Sequence, residues 1–177
     1  MSGNHLVRAA TLTAVAIAVT GWGAQAAADP GGPESPPPNQ LIGTWRMESA
    51  VSDPGGPAER HPYGSQPDGL LTFNANGTFV EVLQSTEIPP FANDQRIGTP
   101  EENAAVVAGT LGQHGTYTVD SEGAYASNVI VGSSWPNRNG VEYRPPVLTL
   151  TVTGDRLTEV LAVPGRPRLV IEFARVP

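Results

Sequence analysis

Three short apolar segments near the end of the chain, separated by tight turns, constrain the fold more than any other feature. The segments are "PVLTLTV", "RLTEVLAV" and "RLVIEFARV", between residues 146 and 176. They are joined by residues 153–155 (Thr-Gly-Asp) and 164–166 (Pro-Gly-Arg), which favour turns. Strands joined by turns this short run antiparallel. The pattern therefore predicts an antiparallel meander, either closed into a barrel or folded as a sandwich.

Earlier segments extend the same pattern. Residues 41–51 read as a strand, residues 52–69 are rich in Pro and Gly and predict a long loop, and "LLTFNANGTFVEVLQ" (70–84) predicts a hairpin. Asn and Gly at its tip suit a type I turn followed by a bulge, with Gly77 at positive φ. That geometry pairs Phe73 with Phe79 and Leu71 with Glu81. One face of the hairpin would then carry Leu71, Phe73, Phe79, Glu81 and Leu83.

The segment "GTPEENAAVVAGTLG" (98–112) predicts one helix of about three turns. Thr99 is the expected N-cap, Pro100 occupies the first helical position, and Glu102 completes a capping box. Apolar residues then recur at helical spacing up to a terminating glycine: Ala104, Val107, Leu111 and Gly112.

Residues 1–28 have the three parts of a secretory signal peptide. An Arg near the start precedes a short run of Ala, Val, Leu, Ile and Thr, and small residues then follow with Ala-x-Ala spacing at 24–26 or 26–28. The run is shorter than the roughly 20 residues of a membrane-spanning helix. We expect export, cleavage and a secreted or cell-envelope location. Residues 29–39, "DPGGPESPPPN", predict a linker, and residues 40–177 predict a single folded domain.

The composition limits the classes of partner. Without the signal peptide the chain has nine Arg, no Lys and 17 acidic residues, a net charge of −8. An acidic surface without a basic cluster argues against nucleic acid and anionic membranes as partners. The chain has no Cys and no pair of His at metal-ligand spacing, so we expect neither a disulfide nor a metal site. No phosphate-binding Gly-rich loop and no nucleophile elbow occurs, and we expect no cofactor.

Glu81 is the most informative single residue. If the apolar face of its strand lies inside, its carboxyl points into the core, where burial would raise its pKa. A salt bridge, or a register shifted by one residue that puts Glu81 in water, remains open. His61, in the long loop, is expected to be solvated, and His114, at a strand edge, is expected at the surface or at a cavity mouth.

An ordered set of motifs resembles the lipocalin-like domain family of calycin-type barrels. "LIGTWRMESA" (41–50) supplies the Gly-x-Trp of its first strand. "HPYGSQPDGLLTF" (61–73) and "GTPEENAAVVAG" (98–109) resemble its long loop, second strand and helix. "HGTYTVD" (114–120) and "VGSSWPNRNG" (131–140) resemble later segments. The resemblance implies an all-β, antiparallel up-and-down barrel with one short α-helix.

The resemblance also implies a role for Trp45. In that pattern the Trp closes the base of the barrel and an Arg from the last strand lies across the indole. Arg175 is the expected partner and Arg168 the alternative. The contact is a cation–π interaction of about 1 kcal/mol.

Barrels of about eight strands enclose just enough space for one small ligand. The first hypothesis is an exported protein that binds a small hydrophobic molecule inside the barrel. The alternative is a cofactor-free isomerase or cyclase that uses Glu81 with Tyr117 or His114, and an envelope interaction protein that uses the loops is a third. The oligomeric state is left open. The candidate ligand-binding residues are Leu71, Phe73, Phe79, Glu81, Tyr117 and Trp135.

Overall fold

The computed structural model describes residues 38–177, which form a nearly closed antiparallel barrel of nine strands. The predicted signal peptide and most of the linker lie outside these residues. The described elements, in chain order, are β1 (Gly43–Ser52), β2 (Pro67–Phe73), β3 (Thr78–Ser85), α1 (Pro100–Gly109), β4 (Thr110–Val119), β5 (Tyr125–Ser133), β6 (Glu142–Tyr143), β7 (Leu148–Thr153), β8 (Arg156–Leu161) and β9 (Leu169–Arg175). Short 3-10 turns cover Gln95–Ile97 and Pro136–Arg138.

The strand order makes this an up-and-down barrel. In the sheet the strands follow the order β6-β5-β4-β3-β2-β1-β9-β8-β7. Every pair of neighbouring strands is consecutive in sequence apart from β1 and β9, which join the first strand to the last. β7, at one end of the sheet, lies close to β5, which is next to the short terminal strand β6 at the other end. The predicted barrel with one short α-helix is therefore confirmed, and the sandwich alternative is wrong.

The hairpin of β2 and β3 has the predicted register. Phe73 lies opposite Phe79 and Leu71 opposite Glu81, and Gly77 has a φ of 79° in the turn. Side chains alternate between the two faces of a strand, so the inward residues form one buried face, which comprises Leu71, Phe73, Phe79, Glu81 and Leu83. Glu81 is only 3% exposed, and the alternative that placed it in water is wrong.

Trp45 is fully buried, and Arg175 lies over its ring with the guanidinium carbon 3.9 Å from the ring centroid. The two residues are direct neighbours across β1 and β9. The indole Nε1 donates to the Leu41 carbonyl over 2.8 Å, which satisfies its buried N–H. The predicted Trp45–Arg175 contact is confirmed, and Arg168 is not the partner.

The helix begins as predicted but ends earlier. Thr99 and Glu102 form the capping box, with Pro100 in the first turn. The helix stops at Gly109, and β4 begins at once, so the prediction that Gly112 ends the helix is wrong. Leu111 and Gly112 pair with β3, because the backbone after residue 109 continues the sheet ladder. The apolar residues at helical spacing do not share one face of the helix, since Leu111 lies on β4 and Val107 is 60% exposed.

Candidate functional site

Four side chains, three of them polar, divide the interior of the barrel into two spaces. The lower space, towards Trp45, is nearly filled, with a cavity volume of about 20 Å³ among Leu71, Phe73 and Phe79. The upper space is a cavity of about 340 Å³ that reaches the open mouth. Four residues line both spaces and so form the partition between them: Glu81, Arg138, Glu159 and Leu161.

The upper cavity, as we call the larger space, has apolar walls. They come from β3, β4, β8 and β9 and include Leu83, Leu111, Leu161, Leu169 and Ile171. Ala108 of the helix contributes to the same lining, and so does Tyr63 from the long loop. The helix and loop thus border the cavity without filling it. Apolar walls with a few polar groups are typical of small-molecule pockets.

The floor of the upper cavity carries two carboxyl groups, from Glu81 on β3 and Glu159 on β8. The Oε2 atom of Glu81 accepts a hydrogen bond from Nε2 of Gln113 over 2.5 Å. Gln113 lies directly opposite Glu81 on β4, so the ladder itself sets this contact. The other oxygen, Oε1, is buried and receives no hydrogen bond from a donor among the described residues. The Glu159 carboxyl approaches closely enough to form a hydrogen bond with Glu81 when one of the two is protonated.

Arg138 supplies the positive charge of the partition. Its Nη1 atom donates to Oε1 of Gln113 over 2.9 Å, so Gln113 bridges the guanidinium and Glu81. The guanidinium carbon lies 5.3 Å from the ring centroid of Trp135 and 5.9 Å from that of Tyr143. These two rings hold the long side chain in place. No ion pair joins Arg138 directly to a carboxylate within residues 38–177.

Both carboxyl groups hold protons more tightly than an exposed Glu does. Burial raises the pKa of Glu81, while the hydrogen bond from Gln113 and the charge of Arg138 act in the opposite direction. Burial also raises the pKa of Glu159 well above its usual value, and the charge of Glu81 raises it further. Like charges this close cannot both be present at low cost. The pair therefore retains one proton at pH values where an exposed Glu is ionised.

Tyr63 and Trp135 border the cavity with further polar atoms. Tyr63 is 3% exposed, and burial followed by the charges of Glu81 and Glu159 raises the pKa of its hydroxyl. The phenol is therefore neutral and lies close to the carboxyl pair. The buried Nε1 atom of Trp135 has no acceptor among the described residues. The upper cavity thus combines an apolar wall with hydrogen-bonding groups that the protein leaves free.

The residues predicted to bind a ligand fall into three places. Leu71, Phe73 and Phe79 fill the lower space, while Glu81 lies in the partition and Trp135 borders the upper cavity. Tyr117 lines neither space. Its ring packs edge-on against Phe73, with centroids 4.8 Å apart, and its hydroxyl donates to the Asn74 carbonyl. Ligand contact by any of the six stays a prediction.

Neither histidine of the described chain enters the barrel. His61 is exposed on the loop, as predicted. His114 is also exposed, because the neighbouring Gln113 takes the inward position of β4 and successive side chains face opposite ways. The surface position considered for His114 is confirmed. Its alternative role as an internal base beside Glu81 is wrong.

Sequence reasoning missed Glu159, Arg138 and Tyr63. The strand "RLTEVLAV" carries a usable signal, because Leu157 is fully buried and alternation places Glu159 on the same face. That β8 faces β3 across the barrel follows only from closure of the sheet. Tyr63 and Arg138 lie on a loop and a 3-10 turn, where no periodicity indicates the direction of a side chain.

Residues 38–177 contain neither a candidate metal-binding cluster nor a helix that could span a membrane. No group of three or more His, Cys, Asp or Glu side chains there is arranged to hold a metal ion. Within the same residues, no helix has both the length and the apolar character needed to cross a membrane.

Comparison with known proteins agrees with the architecture. The family model for the lipocalin-like domain matches residues 42–162, which run from the start of β1 to the end of β8. Searches of curated proteins and of solved structures found no match. The match covers more than half of the chain and includes the Gly-x-Trp strand, the helix and both carboxyl-bearing strands. The barrel fold supports a role in ligand binding. The chain belongs to the lipocalin-like domain family.

Proposed function

We propose that this protein binds a small hydrophobic molecule in the upper cavity of its barrel, and that it does so after export. The observation that carries the binding proposal is the cavity of about 340 Å³ above a floor of polar side chains. Its volume lies within the range of about 300–1,000 Å³ that is typical of small-molecule sites. The lower space, at about 20 Å³, has room for little more than one water molecule.

The fold explains how an open cavity persists in this half of the barrel. Trp45 and the aromatic side chains of the β2–β3 hairpin fill the other end. The strands are therefore held together there, and the upper walls need not meet. Leu83, Leu111 and Ile171 present apolar surface that a ligand would cover. Each buried CH₂ group of a ligand contributes about 0.8 kcal/mol before the costs of association.

Support for export comes from the sequence of residues 1–28, which has the three parts of a signal peptide. The net charge of −8 without that segment keeps the protein soluble and gives no reason to expect a nucleic-acid or anionic-membrane partner.

Titration with the neutral fluorescent probe N-phenyl-1-naphthylamine tests the binding proposal. Leu169→Trp places an indole in the cavity wall and should weaken binding at least about tenfold, because the ligand and the ring compete for one volume. The matched control is Leu70→Trp, on the exposed outer face of β2, which should bind like the wild type. Binding that is absent in the wild type, or equal in both variants, contradicts the proposal.

The carboxyl pair favours a second candidate function, the cofactor-free isomerase or cyclase. One ionised and one protonated carboxyl can move a proton without a cofactor. The carboxylate takes a proton from the carbon beside a ligand carbonyl, the acid donates a hydrogen bond to the carbonyl oxygen, and the proton returns to a carbon of the same molecule.

NMR in D₂O tests this second function by following exchange of the protons beside the carbonyl of 2-decanone. The wild type should accelerate exchange, and Glu81→Gln should remove the acceleration. Tyr117→Phe is the control, since Tyr117 lies outside both spaces. Exchange no faster than in buffer contradicts this second function.

A further inference from the structure

The upper cavity has a polar floor that its own side chains do not satisfy. Nε1 of Trp135 is buried and lacks an acceptor among residues 38–177, and Oε1 of Glu81 is buried with no donor there other than the proton that the carboxyl pair shares. A buried polar group without a partner destabilises the protein. Both residues line the same cavity. A ligand with a polar atom at this depth would recover part of that cost, whereas a pure hydrocarbon would not.

The charges around the floor balance. A carboxyl pair that keeps one proton carries one negative charge, and Arg138 carries one positive charge, linked to Glu81 through Gln113. An ion brought to this floor would lose its hydration without meeting a net opposite charge. The remaining arginines of the lining, Arg60 and Arg166, are exposed, so water and salt screen them. The floor therefore favours a neutral group.

The types of free group indicate which neutral group fits. The indole N–H of Trp135 can only donate a hydrogen bond, and the Tyr63 hydroxyl can donate or accept. The half-protonated carboxyl pair offers both a donor and an acceptor. A carbonyl oxygen accepts from such donors, and a hydroxyl can in addition donate to Oε1 of Glu81. At about 30 Å³ of liquid volume for each water-sized group, 340 Å³ holds an aliphatic chain of on the order of ten carbon atoms.

We propose that the upper cavity selects neutral, largely apolar molecules that carry one hydroxyl or carbonyl oxygen, and that this oxygen lies at Glu81 and Glu159. This inference rests on the proposed ligand-binding function. It assigns Glu81, with Trp135, the recognition of the ligand's oxygen, and it assigns the leucine and isoleucine walls the recognition of its carbon skeleton.

Competition against bound N-phenyl-1-naphthylamine tests the selectivity with ten-carbon compounds that differ in one group. They are 2-decanone, 1-decanol, 1-decene, decanoate and decylammonium, compared near neutral pH. The ketone and the alcohol should bind at least about tenfold tighter than either ion. An ion that binds as tightly as the neutral compounds overturns the inference, since it would show that the floor carries a net charge.

Variants of the floor test the assignment to particular residues. Glu81→Leu should lower the ratio of ketone affinity to alkene affinity roughly fivefold, about the effect of one lost hydrogen bond. Trp135→Phe removes the indole N–H, keeps an aromatic ring and should lower the same ratio. The Trp135→Phe variant keeps the assignment testable if Glu81→Leu fails to fold. The matched control is Glu122→Leu, which removes an exposed carboxylate outside the upper cavity.

The outcomes of these experiments distinguish failure of the proposed ligand selectivity from failure of the proposed ligand-binding function. If the fluorescent probe itself does not bind, the proposed function fails. If the probe binds but every floor variant that folds keeps the wild-type ratio, only the assignment of the polar floor is overturned.

Discussion

The substitution Gly43→Ala tests the closure of the barrel base in isolation. Gly43 has a φ of 129°, in the region that favours glycine, and lies two residues before Trp45. A Cβ atom added there would lie 2.9 Å from Nη1 of Arg175. That guanidinium covers the indole and donates hydrogen bonds to the carbonyls of Ile42 and Gln40 over 2.9 and 3.0 Å. One methyl group therefore strains the backbone and displaces the side chain that seals the base.

The expected loss of stability follows from these two effects. A non-glycine residue forced into such a backbone conformation costs about 1–3 kcal/mol. Displacing Arg175 weakens a cation–π contact of about 1 kcal/mol. The free energy of unfolding should therefore fall by about 2–4 kcal/mol, a large part of the roughly 5–15 kcal/mol typical of a domain.

Urea denaturation followed by tryptophan fluorescence and circular dichroism measures this loss. The matched control is Gly112→Ala on β4, where φ is not in the glycine region and a Cβ would meet nothing within 4 Å. That variant should stay within about 0.5 kcal/mol of the wild type. The double variant Gly43→Ala/Arg175→Ala should lose less unfolding free energy than the two single variants lose together, because removing the Arg175 side chain also removes its steric conflict with the added methyl group. A Gly43→Ala protein as stable as Gly112→Ala refutes the reasoning.

Three further predictions concern pH, the helix and export. The raised pKa of Glu159 means that the folded state binds more protons, so stability is lost as pH rises above the ordinary Glu pKa of about 4.3. The wild type should lose up to about 1.4 kcal/mol per pH unit relative to Glu159→Gln in urea titrations, and parallel pH curves contradict this. Thr99→Ala removes the N-cap side chain that accepts from the backbone N–H of Glu102, and should cost about 1 kcal/mol by urea denaturation, whereas an unchanged midpoint contradicts the cap's contribution. Full-length protein secreted from a bacterial host should begin after Ala26 or Ala28 by mass spectrometry, and an intact N-terminus in the exported protein contradicts cleavage.

The sequence predicted those parts of the fold that depend on short local patterns of residues. The turn ending at Gly77 fixed the register that brings Phe73 opposite Phe79 and turns Glu81 inward. The Gly-x-Trp strand and the final Arg175 identified the sealed end of the barrel through the family resemblance. In these places a short stretch of residues determines backbone geometry by itself, or repeats a known motif.

The site was less accessible because it depends on contacts between distant parts of the chain. Glu159 meets Glu81 only when β8 closes opposite β3, and Tyr63 reaches the same space from a loop without periodicity. The end of the helix was misjudged for a related reason. Pairing with β3 draws the residues after Gly109 into the sheet, so tertiary structure overrides the stop signal at Gly112.

The most direct test of the account is a crystal structure of the protein with 2-decanone. We predict the carbon chain in the upper cavity against Leu83 and Leu169, with the ketone oxygen within hydrogen-bonding distance of Glu81, Glu159 or Trp135. A ketone bound on the outer surface, or a cavity filled by the protein's own side chains, would contradict the account.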